Sequence, residues 1–351
     1  MRAAVFDSPR SMTLVEFQRP ACDEDSVVID VYATGICGTD VHGFDGSNGR
    51  RELGQVMGHE TVGTISKVGA RISADRIGEL VVVNPLQTCG ECRFCRAGQR
   101  QVCRHRKVVG VAPELAGGFA DQLVIPSTNA VHFSREVPIL HGALVEPLAV
   151  GLHALEITDP TPDDSVLVIG GGPIGQAVAL ATRRRAISRV LVSEPSVARR
   201  ELLASWGFSV TSPESLASAV DDVLGEPPTV VVDAVGISPS VQAALDVSDH
   251  RARISIVGMG SAKLDVDSYA ISTGERSLIG SYCYSDEHFA EAAAWVGAGQ
   301  PLLDDLVGRT WRLDQTCEAF TDLIQGELPM GKSMVLSQSA NDNQQKEQLS
   351  R

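Results

Sequence analysis

The apolar positions of this chain follow two rhythms, one on each side of a polar loop at residues 158–164. Before the loop, short apolar runs are separated by Gly and Asp, with little helical periodicity. Val27-Val28-Ile29-Asp30-Val31-Tyr32-Ala33, Thr61-Val62-Gly63-Thr64-Ile65 and Glu79-Leu80-Val81-Val82-Val83 read as strands, punctuated by Gly69, Asp75 and Gly78. A helix is predicted from Leu144 through Leu155, with Pro147 suited to its first turn. After the loop, Ser165-Val166-Leu167-Val168-Ile169 is a continuous apolar run, the pattern of a strand buried on both faces. Helices at 176–182, 196–206 (with Gly207 past its end), 238–247 and 287–296 alternate with strands at 189–193, 229–233, 253–258 and 277–282. This alternation predicts an α/β architecture, a doubly wound parallel sheet behind a β-rich N-terminal part. The helix starting near 176 runs out at Arg184-Arg185-Ala186 with no capping glycine. The three arginines 183–185 read as a solvated helix end.

Composition narrows the class. The chain has 351 residues, 43% apolar and 21% charged, enough for two globular domains. It contains no run of 18 apolar residues, so no membrane span is expected. The stretch Met1-Arg2-Ala3-Ala4-Val5-Phe6 lacks the apolar region of a signal peptide, which points to the cytoplasm. A formal net charge of −14 makes nucleic acid a poor partner. The tail from Ser337 to Arg351 is polar and expected to be mobile.

Three constellations carry chemistry. The first is Gly35-Ile36-Cys37-Gly38-Thr39-Asp40-Val41-His42, followed by Gly58-His59-Glu60. Thiolate and imidazole are preferred zinc ligands, and a catalytic zinc keeps three protein ligands and one open position. Cys37 and His59 supply two; Glu60 or a later carboxylate supplies the third. Thr39 and His42 are proton-carrying groups next to that set. Glu146 is a lone carboxylate in an apolar stretch. It either answers the dipole of the helix it opens or belongs to the metal site. A bland alternative for the whole set is a buried, unreactive cysteine with ordinary histidines.

The second is Cys89, Cys92, Cys95 and Cys103, spaced C-x2-C-x2-C-x7-C. Four thiolates close a tetrahedral site, so this reads as a structural zinc. An iron–sulfur cluster is the rival, but the last spacer does not suit the usual cluster runs. The third is Gly170-Gly171-Gly172-Pro173-Ile174-Gly175. It follows one strand, opens a helix, and is succeeded at the end of the next strand by Glu194. That is the dinucleotide fingerprint: glycines let the backbone approach a pyrophosphate and the acidic residue accepts from ribose hydroxyls. Glu194 favours NAD over NADP, because a 2′-phosphate would meet like charge. Arg199 and Arg200 are the complication. Either could hold a phosphate, and Arg199 could instead stack on the adenine.

Taken together, these motifs resemble the zinc-containing medium-chain alcohol dehydrogenase family, in the family's order and over nearly the whole chain. The resemblance implies a GroES-like zinc catalytic domain at 1–156, an inserted Rossmann NAD-binding domain at 157–284, and a C-terminal return to the catalytic domain at 285–351. Position by position, Cys37 and His59 resemble the catalytic zinc ligands and Glu60 the carboxylate that can bind the metal. Asp40 resembles the partner that orients a zinc histidine, and Thr39 and His42 the proton relay. Glu146-Pro147 is similar to the sorbitol, threonine and butanediol dehydrogenase branches; other alcohol dehydrogenases place a cysteine there. Cys283-Tyr284 stands where sorbitol dehydrogenases carry an Arg-Tyr pair, and Gly43-Phe44 replaces an aromatic after the relay histidine. Both departures point away from a sorbitol-like substrate. The implied activity is NAD-linked oxidation of a small secondary alcohol, diol, polyol or β-hydroxy amino acid, in a homodimer or homotetramer. A zinc-independent quinone or enoyl reductase on the same scaffold, or a non-catalytic redox sensor, are the competing readings.

Overall fold

The computed structural model describes residues 1–19, 21–47, 51–326 and 330–337; the tail expected to be mobile lies outside them beyond Ser337. Two compact units emerge: Met1–Glu146 with the described residues from Phe289 onward, and Pro147–His288. The unit edge therefore falls inside the Val145–Glu156 helix, not after it. Among the described residues no helix is long and apolar enough to cross a membrane.

The first unit is built on a seven-stranded sheet. Strand Ser26–Gly35 lies at its centre. It pairs antiparallel with Glu60–Val68, with Gln122–Pro126 and with Lys332–Leu336. Its alternate residues Val27, Ile29 and Val31 turn into one core with Ile65, Val81, Val83, Leu123 and Ile125. Burying each such side chain contributes about 1.5–3 kcal/mol. A second core gathers Phe44, Phe119, Phe320 and Trp311, with Phe44 and Phe119 both against the Phe320 ring at centroid distances of 5.0 and 5.6 Å. Strand register fixes where the polar residues of this unit meet. Gly35 faces Glu60 across one ladder and Met334 across the other. The end of one strand, the start of a second and the middle of a third thus come to one place. Strands Val307–Arg312 and Lys332–Leu336 and the helix Thr316–Ile324 carried no reading in the sequence.

The second unit is a six-stranded parallel sheet. Its spatial order is Ser209–Thr211, Arg189–Ser193, Ser165–Ile169, Val230–Asp233, Arg253–Ile256, Ser277–Gly280. In chain order that is 3-2-1-4-5-6, the doubly wound arrangement. Two strands end sooner than their apolar runs suggest, at Ile256 and Gly280.

One expectation needs correction. The arginines at 183–185 are not simply a solvated end. Arg183 donates to the Trp206 carbonyl and lies 4.6 Å from the Phe208 ring centroid, and Arg185 pairs with Glu156. The missing capping glycine is replaced by Ala186 itself, at φ 56°, with the Ile187 N–H returning to the Thr182 carbonyl at 3.0 Å.

His153 and His288 meet in this unit with their Nδ1 atoms 3.0 Å apart. Burial, then the neighbouring His288, lowers His153 to about 4. The folded state therefore binds this proton less readily than the unfolded chain, whose histidine titrates near 6.5. The contribution is complete above that value and fades as pH falls toward 4. Each tenfold drop in proton affinity is worth about 1.4 kcal/mol, so the loss at pH 4 is on the order of 3 kcal/mol. Urea unfolding of wild type and His153→Gln at pH 5 and pH 7.5 should show the wild type losing more stability on acidification. Parallel losses would refute this account.

Candidate active site

Strand Ser26–Gly35 delivers the chain to Cys37, which precedes the short helix Gly38–Phe44. Helical spacing buries Asp40, Gly43 and Phe44 and leaves Thr39 and His42 on the other side, one turn apart. The Thr39 hydroxyl donates to Cys37 Sγ at 3.3 Å, and His42 is exposed. Glu60 opens the neighbouring strand, directly after His59. Two glycines clear the space. A Cβ at Gly35 would stand 2.1 Å from Glu60 Oε2, and one at Gly58, where φ is 99°, would stand 2.9 Å from Thr34.

The result is a cluster. One ligand atom from each of Cys37, His59 and Glu60 lies within 4.8 Å of the others. Glu146, 8% exposed in the first turn of its helix, is outside that triplet, yet its charge reaches both His59 and Lys332. His59 measures the field. Burial alone would lower it, but the charges of Asp40, Cys37 and Glu146 push it up to about 10. Glu60 Oε2 is buried and has no hydrogen-bond partner among the described residues. A donor set of thiolate, imidazole and carboxylate, a concentrated negative field and an orphaned carboxylate oxygen all fit a divalent cation.

Two side chains at this site escaped the sequence reading. Lys332 Nζ donates to Glu60 Oε1 at 2.7 Å and to the Ile36 carbonyl at 3.3 Å, with both charged side chains buried. Arg51 Nη2 donates to Asp40 Oδ1 at 2.8 Å, while the other Asp40 oxygen faces His59 Nδ1 at 3.4 Å. Neither cation has a local signal: Lys332 is 272 residues from Glu60, and Arg51, though only 11 residues from Asp40, belongs to no motif. Formally, one thiolate and three carboxylates (Asp40, Glu60, Glu146) then face two buried cations, leaving the charge that a divalent ion would neutralise.

The four clustered cysteines also converge. Their sulfurs stand 3.5 Å (Cys92–Cys95), 3.6 Å (Cys89–Cys103) and 3.9 Å (Cys89–Cys95) apart. A disulfide needs about 2.0 Å. Sulfurs placed about 2.3 Å from one central ion would be spaced about 3.8 Å apart in a tetrahedron. Backbone N–H groups lower Cys92 and Cys103, from Cys95 and Cys89 respectively. Arg93, Arg96, Arg104, Arg106 and Lys107 are exposed around the knuckle and offset the charge of four thiolates.

In the second unit, strand Ser165–Ile169 leads through the glycine loop into the Pro173–Arg184 helix. Gly170 takes φ 94°, and a Cβ at Gly175 would sit 1.7 Å from the Gly170 carbonyl oxygen. Gly172 caps the helix, and Pro173 and Ile174 form its first turn, so the free N–H groups of that turn and loop form an anion cradle. Glu194 is 4% exposed and accepts from the Gly171 N–H at 2.6 Å and the Ser196 N–H at 2.8 Å. The loop therefore holds the carboxylate in place. Arg200 Nη1 donates to the carbonyls of Glu194 and Pro195, at 2.6 and 2.7 Å. The Arg199 guanidinium lies against Gly172, within 3.5 Å of where a Cβ there would stand.

The chain is similar to known proteins. Residues 23–135 match the alcohol dehydrogenase GroES-like domain, and residues 173–298 match the zinc-binding dehydrogenase family. The 2-dehydro-3-deoxy-L-galactonate 5-dehydrogenase of Pseudoalteromonas atlantica is 32% identical, over 92% of this chain and 95% of its own. A probable D-xylulose reductase A of Aspergillus fumigatus is 28% identical, over 87% and 88%. The crystal structure of the alcohol dehydrogenase rspB of Escherichia coli CFT073, complexed with NADH, superposes with a TM-score of 0.87 at 26% identity, covering 96% of this chain and 99% of that one.

The Lys332–Glu60 pair gives a direct test of the site's electrostatics. Removing one member of a buried pair typically costs about 3–5 kcal/mol, because the partner is left buried and uncompensated. Lys332→Met should therefore destabilise the protein by several kcal/mol in urea unfolding, and Lys332→Met with Glu60→Gln by clearly less. Additive losses would show that the two groups do not depend on each other.

Proposed function

This chain belongs to the zinc-containing medium-chain alcohol dehydrogenase family and is an oxidoreductase acting on CH–OH groups. From that premise we propose that it oxidises a secondary hydroxyl of a small polyol or sugar acid, with NAD as the hydride acceptor. The observation that carries the reading is the convergence of Cys37, His59 and Glu60, with Thr39 and His42 on the adjacent helix. The sugar-acid and pentulose names of the relatives support the substrate class.

When bound, zinc supplies Lewis-acid polarisation of the substrate hydroxyl, and nicotinamide supplies the hydride acceptor. Cys37 and His59 would hold the metal, with Glu60 or Glu146 as the carboxylate. Thr39 Oγ1, beside Cys37 Sγ, would accept the substrate hydroxyl proton while giving up its own toward His42. His42, one turn along and exposed, passes it to bulk water. Cys89, Cys92, Cys95 and Cys103 would hold a second, structural zinc. The NADH of the rspB structure is consistent with the cofactor assignment, and the protein is expected to act as a homodimer or homotetramer.

Glu194 supports NAD over NADP. It is already fixed by two backbone N–H groups and keeps lone pairs for ribose hydroxyls. A 2′-phosphate would meet this buried negative charge, with Arg200 turned to the backbone and Arg199 placed over the glycine loop. Such repulsion is worth about 3 kcal/mol, or about 100-fold in specificity. The ratio of kcat/KM for NAD and NADP should favour NAD to that degree, and Glu194→Ala should narrow it. A wild-type ratio favouring NADP would overturn the assignment.

Elemental analysis should find two zinc ions per chain. Cys103→Ala should lose one of them together with thermal stability. His59→Ala should abolish turnover of a polyol and sugar-acid panel while the circular dichroism spectrum stays native. Turnover surviving in His59→Ala would remove the metal centre from the mechanism.

A further inference from the structure

Arg51 lies in a segment with no motif of its own, yet its side chain is 1% exposed and its partner Asp40 is fully buried. A buried guanidinium is costly unless its charge and donors are used. Here Nη2 meets Asp40 Oδ1 at 2.8 Å and Nε meets Met57 Sδ at 3.1 Å. With Oδ1 pinned, the planar carboxylate turns Oδ2 toward His59 Nδ1, 3.4 Å away. Neither Oδ2 nor Nδ1 has a hydrogen-bond partner elsewhere among the described residues, so this carboxylate oxygen is the polar group set beside that ring nitrogen.

Gly43 explains how the guanidinium gets there. It sits in the Gly38–Phe44 helix with an ordinary helical backbone, where glycine is worse than alanine. A Cβ at this position would stand 2.5 Å from Arg51 Cγ and 2.9 Å from its Nε. The glycine provides side-chain room, not backbone freedom.

We propose that Arg51, admitted by Gly43, is a positioning residue that clamps Asp40 so that Asp40 aligns the His59 imidazole. The proposal rests on reading Cys37, His59 and Glu60 as the metal centre. Arg51 acts through Asp40 and touches neither substrate nor metal. It also offsets part of the charge that Asp40 presents to the imidazole.

Arg51→Met, Arg51→Lys and Gly43→Ala are compared with wild type by three readouts. These are zinc affinity in chelator competition, the ligand-field bands of the cobalt-substituted protein, and kcat against KM. Losing an outer partner of a metal-binding histidine typically costs about 10–100-fold in metal affinity or activity. Arg51→Met should show losses of that size in zinc affinity and kcat, with displaced cobalt bands and a smaller change in KM. Arg51→Lys should recover most of the loss, since an ammonium can still reach one Asp40 oxygen. Gly43→Ala should reproduce the Met variant although the arginine charge is present. If Arg51→Met does not fold, Arg51→Lys and Gly43→Ala carry the decision. Variants that melt earlier but keep zinc affinity, cobalt bands and kcat within about twofold would make Arg51 a structural filler and overturn the proposal. His59→Ala in the same series separates the two readings. If it keeps its turnover, the metal centre itself is wrong. If it is inactive while Arg51 and Gly43 variants are silent, only the clamp is wrong.

Discussion

The first unit is arranged around the crowding of largely buried negative charge. Asp40, Glu60 and Glu146 are all buried, and Cys37 stands among them. Isolated buried carboxylates are among the most expensive features a fold can carry. They persist here because each is answered: Asp40 by Arg51, Glu60 by Lys332, and the remainder by a field that suits a divalent cation. The rise of His59 to about 10 expresses the same field in protons.

Sheet register makes that convergence possible. Gly35 opposite Glu60, and Met334 opposite Gly35, bring the end of one strand, the start of a second and the middle of a third to one point. Hydrophobic alternation holds the register, since a slip of one residue would turn Val27, Ile29 and Val31 out of their core. The packing that stabilises the unit is therefore also what aims its chemistry. Gly35 adds space, where a methyl group would collide with Glu60, and Gly58 adds both space beside Thr34 and a backbone conformation, φ 99°, that favours glycine.

The second unit solves a different problem. It has to present free backbone N–H groups to an anion without leaving a strand or helix end unsupported. The glycine loop does this at the first strand of the parallel sheet, and Glu194 is held by the loop's own Gly171 N–H. Arg200 Nη1 hydrogen-bonds to the carbonyls of Glu194 and Pro195.

Much of this was legible in one dimension, because several constraints here are local. The glycine loop, the four-cysteine spacing, Cys37 with Thr39 and His42, and His59 with Glu60 are each short, and short motifs survive any uncertainty about the fold. The Rossmann alternation was legible for a similar reason: strands buried on both faces leave unbroken apolar runs. Arg51, Lys332 and the role of Gly43 were not legible. Lys332 is 272 residues from Glu60, and nothing near either one marks it as a partner. The strands Val307–Arg312 and Lys332–Leu336 held no clear pattern, because the first is completed by pairing with the second, and the second by pairing with Ser26–Gly35 at the far end of the chain. The sequence by itself determined which chemical groups are present and which short loops carry them. Only the tertiary structure decided which charge neutralises which, because electrostatic pairing in a buried site depends on distance in space and not on position along the chain.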